Sequence, residues 1–156
     1  MAQIFYESEI DPNLPGIIIA SHGALAVASL ETLRMLTGEQ TNLAAFSLEE
    51  GESSEDFMKK IGTAVEAFPE GSIVFADIKG GTPFNTIMMY AKKTRKVLYA
   101  IAGFNVPMLV QAVMERTIYS GEELFESLLD IENNGVFNMT EFLEAHMEST
   151  AEKEEK

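Results

Sequence analysis

Two stretches of this chain end in residues able to do chemistry: Gly16-Ile17-Ile18-Ile19-Ala20-Ser21-His22-Gly23 and Phe75-Ala76-Asp77-Ile78-Lys79-Gly80-Gly81-Thr82-Pro83-Phe84-Asn85. Each reads as a buried strand running into a polar, glycine-marked turn that opens a helix. In a parallel α/β sheet the loops after neighbouring strands share one carboxyl edge, so a histidine, an aspartate and a phosphate-sized nest of amides converge there. A neutral imidazole accepts a phosphoryl group near pH 7 when one ring nitrogen keeps its proton and the other offers its lone pair. Asp77 is placed to accept a hydrogen bond from Nδ1–H of His22, leaving Nε2 outward as the nucleophile. Gly80 and Gly81 let the backbone turn its amides inward, Thr82 adds a hydroxyl, and the helix entered through Pro83 presents its positive end. Phosphoryl transfer demands positioning and charge stabilisation, so such a set works without nucleotide or metal, and no cofactor is expected. Lys79 either supplements the nest or points into solvent.

Each residue also has an ordinary structural reading. His22 is then a hydrogen-bonded loop residue, Asp77 a turn cap, and Gly-Gly-Thr-Pro a common entry to a helix. Their joint placement after strands that an α/β topology sets side by side favours the chemical reading. His146, in an acidic and exposed helical stretch, is read as structural.

The elements that must position these residues follow from periodicity. Ile17 to Ala20, Leu43 to Phe46, Ile73 to Ala76 and Val97 to Ala102 are short apolar runs bounded by turn residues, the pattern of parallel strands covered on both faces. Between them, Ala26, Leu30 and Leu33 mark the buried side of one helix, and Phe57, Ile61, Ala64, Val65 and Phe68 that of a second. Ser53 or Ser54 caps the second helix. A third begins at Thr82-Pro83 with threonine as its cap, and a fourth at Asn105-Val106-Pro107 with Met108, Ala112 and Val113 inward. A fifth follows Ser120-Gly121, carries Leu124, Phe125, Leu128 and Leu129 on its apolar face, and ends at Asn133-Asn134-Gly135 in a left-handed cap. The alternation predicts an α/β fold: a doubly wound, mainly parallel sheet with helices on both faces. Ile4, Phe5 and Tyr6 add an edge strand or remain flexible. Phe142 and Leu143 extend a helix, whereas the charge-rich stretch from Glu148 lacks an apolar anchor. The expected organisation is an extension over 1–15, one domain over 16–137 and an acidic helix or tail over 138–156.

Composition narrows the function. The chain has 156 residues, 46% of them hydrophobic, enough for one core without staples, and it contains no cysteine, which removes disulfides, thiolate nucleophiles and Cys-ligated metals. A formal net charge of -14 repels phosphate backbones, so nucleic acid is excluded as a partner. Nothing at the amino terminus reads as a leader or membrane span, and the expected compartment is the cytoplasm. The cations of Lys92, Lys93, Arg95 and Lys96 form either a solvated helix end or a surface for an acidic partner. The nine methionines are read as core filling.

Taken together, Ala20-Ser21-His22-Gly23, Leu36-Thr37-Gly38-Glu39-Gln40, Asp77 with Gly80 to Asn85, and Gly103-Phe104-Asn105-Val106-Pro107-Met108-Leu109 carry a resemblance. From about Gly16 to Val136 the chain resembles the IIA component of the mannose/fructose/sorbose family of the bacterial phosphoenolpyruvate-dependent sugar phosphotransferase system. The resemblance implies that His22 takes a phosphoryl group from the histidine phosphocarrier protein and passes it to a IIB partner, which phosphorylates sugar at a membrane permease. Asp77 matches the aspartate that orients the histidine, and Gly81 and Thr82 match the phosphate-contacting turn. The family fold also implies a homodimer exchanging its final strand, which here falls around Val136. Lys79 stands where relatives often carry a bulky apolar group, and Thr82 keeps the hydroxyl of a serine seen in some members. Without a IIB domain in this chain, the next carrier is expected on a separate polypeptide. Alternative roles are phosphoryl donor in a dihydroxyacetone kinase system, and a non-catalytic module holding a phosphorylated ligand or flavin at the sheet edge. An aspartyl-phosphate receiver fits less well, because only Asp77 stands at a suitable strand end.

Overall fold

A computed structural model describes residues 2–130, 132 and 134–154. Among them are five strands, β1 (Gln3–Phe5), β2 (Ile17–His22), β3 (Leu43–Leu48), β4 (Ile73–Ala76) and β5 (Tyr99–Ala102). Six α-helices alternate with or follow them: α1 (Leu25–Thr37), α2 (Ser54–Ala67), α3 (Thr82–Thr94), α4 (Val106–Glu115), α5 (Gly121–Leu128) and α6 (Met139–Glu154). The sheet order is β1-β3-β2-β4-β5. β2 pairs in parallel with β3 and β4, and β4 with β5, while β1 runs antiparallel along β3. The sheet is therefore mixed, and Ile4 and Phe5 do belong to an edge strand.

Alternate residues of the buried strands feed two cores, as the two-residue period of a strand requires. Ile17, Ile19, Ala45, Ile73, Phe75 and Ile101 pack beneath α1, α4 and α5. Ile18, Ala20, Ala44, Phe46, Val74 and Ala76 pack beneath α2 and α3. The chain winds outward from β2 to β3 on one side and onward to β4 and β5 on the other. The loops after β2 and β4 thus part at the switch point of the sheet, where the crevice of an open α/β fold forms.

Several local expectations are corrected. α3 is capped by Gly81, with Thr82 as the first helical residue and no side-chain cap. The other two caps are as expected: Ser53 caps α2 by accepting the Asp56 N–H at 3.1 Å, and Asn105 caps α4 by accepting that of Met108 at 2.9 Å. β5 starts at Tyr99, leaving Val97 exposed. α5 ends at Leu128 and leaves Leu129 exposed; of the expected cap, Asn133 lies outside the described residues, and Gly135 holds its positive φ of 82° in the loop beyond the helix. Val136 to Asn138 form no strand within this single chain. α6 continues to Glu154 because Ala and Glu are good helix formers even where no apolar anchor exists. The methionines do not fill the core: Met35, Met88, Met89, Met114, Met139 and Met147 are exposed, and Met58 and Met108 are half-buried.

One buried cation secures the foundation of β2 and β3. Arg116, 2% exposed at the end of α4, donates through Nη1 to the carbonyls of Pro15 and Asn42, and through Nη2 to Thr41 O and Gln40 Oε1. Burial lowers its pKa to about 10, an effect that Asp11 partly opposes. Arg116→Ala is expected to strand these acceptors and destabilise the fold by about 3 kcal/mol, read from urea unfolding midpoints. Arg116→Lys should recover only part of that, because one ammonium cannot reproduce the planar fork.

Candidate functional site

Parallel pairing of β2 with β4 sets Ala20 beside Ala76, so each strand delivers its next residues to the same edge. His22 is the last residue of β2 and Asp77 the first residue beyond β4. His22 Nδ1 lies 2.8 Å from Asp77 Oδ2, and the same oxygen accepts the His22 backbone N–H at 2.9 Å. Asp77 Oδ1 accepts the Ile78 N–H at 2.9 Å. The carboxylate is well covered, with its side chain 11% exposed, whereas the imidazole is 50% exposed. With Nδ1–H donated to the carboxylate, Nε2 carries the lone pair.

The glycine turn lies against this ring. A Cβ built on Gly81 would stand 2.6 Å from His22 Cε1 and 3.3 Å from Nε2, so only glycine lets the backbone come this close. Gly80 has a φ of +84°, in the left-handed region that glycine tolerates. The first-turn amides of α3 have no intrahelical acceptor, and the helix dipole adds positive potential at the same end. His22, Asp77 and Gly81 are thus in one cluster, with Gly80 and Thr82 flanking Gly81 in the chain. Ile78 and Lys79 are exposed beside them. His146 is elsewhere, exposed on α6 with its ring 5.4 Å from that of Phe142.

Two supporting residues were not singled out from sequence. Ser21, fully buried, accepts the Ala26 N–H through Oγ at 2.7 Å and so ties the first turn of α1 to the histidine strand. Asn85 donates through Nδ2 to Gly80 O at 3.4 Å, a long contact across the turn. The available signal was position alone: a small hydroxyl before the histidine, and an asparagine in the first turn of α3. A cavity of about 830 Å³ lies at the opposite, amino edge of the sheet, lined among others by Glu66, Ser72, Lys96 and Tyr99, and it includes neither His22 nor Asp77. Among the described residues no group of acidic or histidine side chains is arranged to hold a metal, and no helix is long and apolar enough to cross a membrane.

Residues 16–129 match the family described as the PTS system fructose IIA component. The chain is 31% identical over 114 residues to the fructose-specific EIIA component of Bacillus subtilis, covering 72% of this chain and 77% of that protein. It is 35% identical over 104 residues to the mannose-specific EIIAB component of Escherichia coli, covering 64% of this chain but only 31% of the longer relative. Among solved structures, phosphotransferase component EIIA from Streptococcus agalactiae superposes with a TM-score of 0.74 at 28% identity, over 81% of this chain and 98% of that one. The mannose/sorbose-specific IIA subunit from Enterococcus faecalis gives 0.69 at 28% identity, over 80% and 94%. With the matched span enclosing both strand ends that carry His22 and Asp77, the chain belongs to the mannose/fructose-type EIIA family of the sugar phosphotransferase system.

Proposed function

We propose that this protein is a phosphoryl carrier in sugar uptake, with His22 accepting the group from the histidine phosphocarrier protein and passing it to a IIB component. The observation that carries this reading is the 2.8 Å contact of His22 Nδ1 with Asp77, which supports Nε2 of the half-exposed ring as the nucleophile. In the first step the P–N bond to the donor histidine breaks as a P–Nε2 bond forms, and the Nδ1 proton stays on the ring facing Asp77. The imidazolium so formed is stabilised by the carboxylate, and the equatorial phosphoryl oxygens are met by amides of the Gly80-Gly81-Thr82 turn and by the Thr82 hydroxyl. The second step reverses these bond changes toward the IIB partner. In this reading the carrier works in the cytoplasm and meets the membrane only through the permease. Residues 16–137 act as the carrier domain, 1–15 as an extension that includes β1, and 138–156 as an appendage that includes α6.

Incubation with phosphoenolpyruvate, enzyme I and the phosphocarrier is expected to add the mass of one phosphoryl group, in an acid-labile and alkali-stable bond. An unchanged intact mass, or an acid-stable product, would overturn the reading. Gly81→Ala is expected to push the ring off Asp77 and slow phosphoryl uptake about 10²-fold in rapid-quench measurements, with the fold retained by circular dichroism.

The homodimer belongs to the same proposal. Among the described residues β5 pairs only with β4 and so ends the sheet, beside a small apolar groove of about 70 Å³ lined by Phe84, Ile87, Met88 and residues 100–102. Val136 and Phe137 are exposed, and in this proposal they join that edge in a second copy.

A further inference from the structure

The turn that carries His22 is short. Only Gly23 and Ala24 separate the end of β2 from the start of α1, and Gly23 takes a left-handed φ of 55° to make the bend. A helix begun so abruptly leaves its first amides without intrahelical acceptors. Here the Ala28 N–H is the first to reach one, Ala24 O at 2.9 Å, so the N–H groups of Leu25, Ala26 and Val27 need partners outside the helix. A side chain at the N-cap ordinarily serves one of them, but the cap is Ala24, which has no polar atom to offer.

The acceptor comes instead from the far side of the histidine. Ser21 Oγ accepts the Ala26 N–H at 2.7 Å, and its own proton faces Gly23 O at 3.4 Å. The first of these bonds closes a ring over residues 21–26, with His22 inside it. Two further bonds hold the same turn along the sheet: the His22 N–H reaches Asp77 Oδ2 toward β4, and the Gly23 N–H reaches Leu48 O, at 3.0 Å, toward β3. Ser21 adds a bond out of the sheet, to the helix.

Alternation along β2 places Ser21 and His22 on opposite faces. Ser21 continues the row of Ile17 and Ile19 beneath α1, and His22 that of Ile18 and Ala20, toward α3. Ser21 is fully buried, so it meets no incoming molecule and acts on the chemistry only through the turn. Its bond to Ala26 is costly to lose, because a buried N–H finds no water in place of its partner.

We propose that Ser21 is a positioning residue for phosphoryl transfer: its hydroxyl caps α1 across the His22 turn and so fixes where Nε2 stands relative to the Gly81 turn. The inference rests on His22 being the phosphoryl acceptor and adds a residue that acts through it. Transfer is steep in geometry, and a misplacement of about 1 Å can cost 10²-fold. A turn slackened on the helix side alone, with Asp77 still in contact, is expected to lose about 10-fold. Ser47 provides the control. It is the register partner of Ser21 on β3 and is 3% exposed, yet its Oγ has no hydrogen-bond partner among the described residues.

Ser21→Ala is expected to slow phosphoryl uptake from the phosphocarrier about 10-fold in rapid-quench measurements, at an unchanged half-saturating phosphocarrier concentration, while Ser47→Ala keeps the parent's rate. Ser21→Thr and Ser21→Val fill nearly the same volume and differ in the hydroxyl, so any strain of overpacking is common to both. The Ser21→Thr chain should transfer within about two-fold of the parent, and the Ser21→Val chain as slowly as Ser21→Ala. Exchange of the His22 Nδ1–H proton with water, followed by NMR with no phosphocarrier present, should quicken about 10-fold in the Ser21→Ala and Ser21→Val chains. A Ser21→Ala chain that transfers at the parent's rate, a Ser21→Val chain as fast as Ser21→Thr, a Ser47→Ala chain slowed as much as Ser21→Ala, or unchanged proton exchange would each overturn the inference. A parent chain that takes up no phosphoryl group overturns the carrier reading instead, and the proton exchange then decides by itself whether Ser21 holds the ring in place.

Discussion

His22→Ala is expected to abolish phosphoryl uptake altogether, leaving no covalent mass increase after incubation with phosphoenolpyruvate, enzyme I and the phosphocarrier. The reason is chemical. Removing the imidazole leaves an aspartate whose carboxylate is largely covered and a turn of amides with nothing to attack the phosphorus. The ring is half exposed and lies on the surface side of the strand end, so its loss should cost little stability, and an unchanged unfolding midpoint would separate lost chemistry from lost fold. His146→Ala serves as the matched control and should label fully, because that ring sits on α6. Residual acid-labile label on the His22→Ala chain would move the acceptor elsewhere and remove the basis of the proposed mechanism.

Asp77→Asn should lower the rate of phosphoryl uptake roughly 10²- to 10³-fold while leaving the histidine in place. The substitution keeps nearly the same volume but exchanges two acceptor oxygens for one oxygen and one donor nitrogen. If the amide nitrogen faces His22 Nδ1, the ring must present a lone pair there and carry its proton on Nε2, which silences the nucleophile. If the oxygen faces it, the tautomer survives but the charge that stabilises the phosphorylated imidazolium is gone. Nitrogen-15 chemical shifts of the imidazole report the tautomer directly, and rapid quench reports the rate. A variant with the parent's rate would mean that the 2.8 Å contact orients nothing of consequence.

The pairing of His22 with Asp77 was legible because it depends on few features: two apolar runs of strand length, each followed at once by a polar residue, in a sheet where parallel neighbours share an edge. The strand order that made β2 and β4 neighbours is not encoded in either run. It comes from how α2 crosses β2 on its way from β3 to β4, a property of the whole chain. The role of Gly81 was seen only in part. A glycine pair suggests freedom of the backbone, but the need for a missing Cβ against an imidazole arises across about sixty residues of sequence. Arg116 gave no signal at all, since its partners are mostly main-chain carbonyls, which look alike in any sequence.

Apolar periodicity also says which side of a helix is oily, and nothing of what covers it. Ala26, Leu30 and Leu33 of α1 are buried as their spacing implies, whereas the equally regular Phe142, Leu143 and Met147 of α6 stand in the open. The misreading of the methionines has the same origin. Leu129 shows the converse, a residue in phase with its helix that falls just past the last turn and so misses the core.

Asp77 Oδ2 receives two protons from one residue, the main-chain N–H and the ring N–H of His22. An ordinary surface histidine samples several rotamers, and each incoming molecule must wait for the useful one. Here the side chain is tethered at its root and at its tip to a single atom, so the swivel about its two torsions is frozen before any encounter. That loss of freedom is borne by folding, once, and is not charged again at every handover.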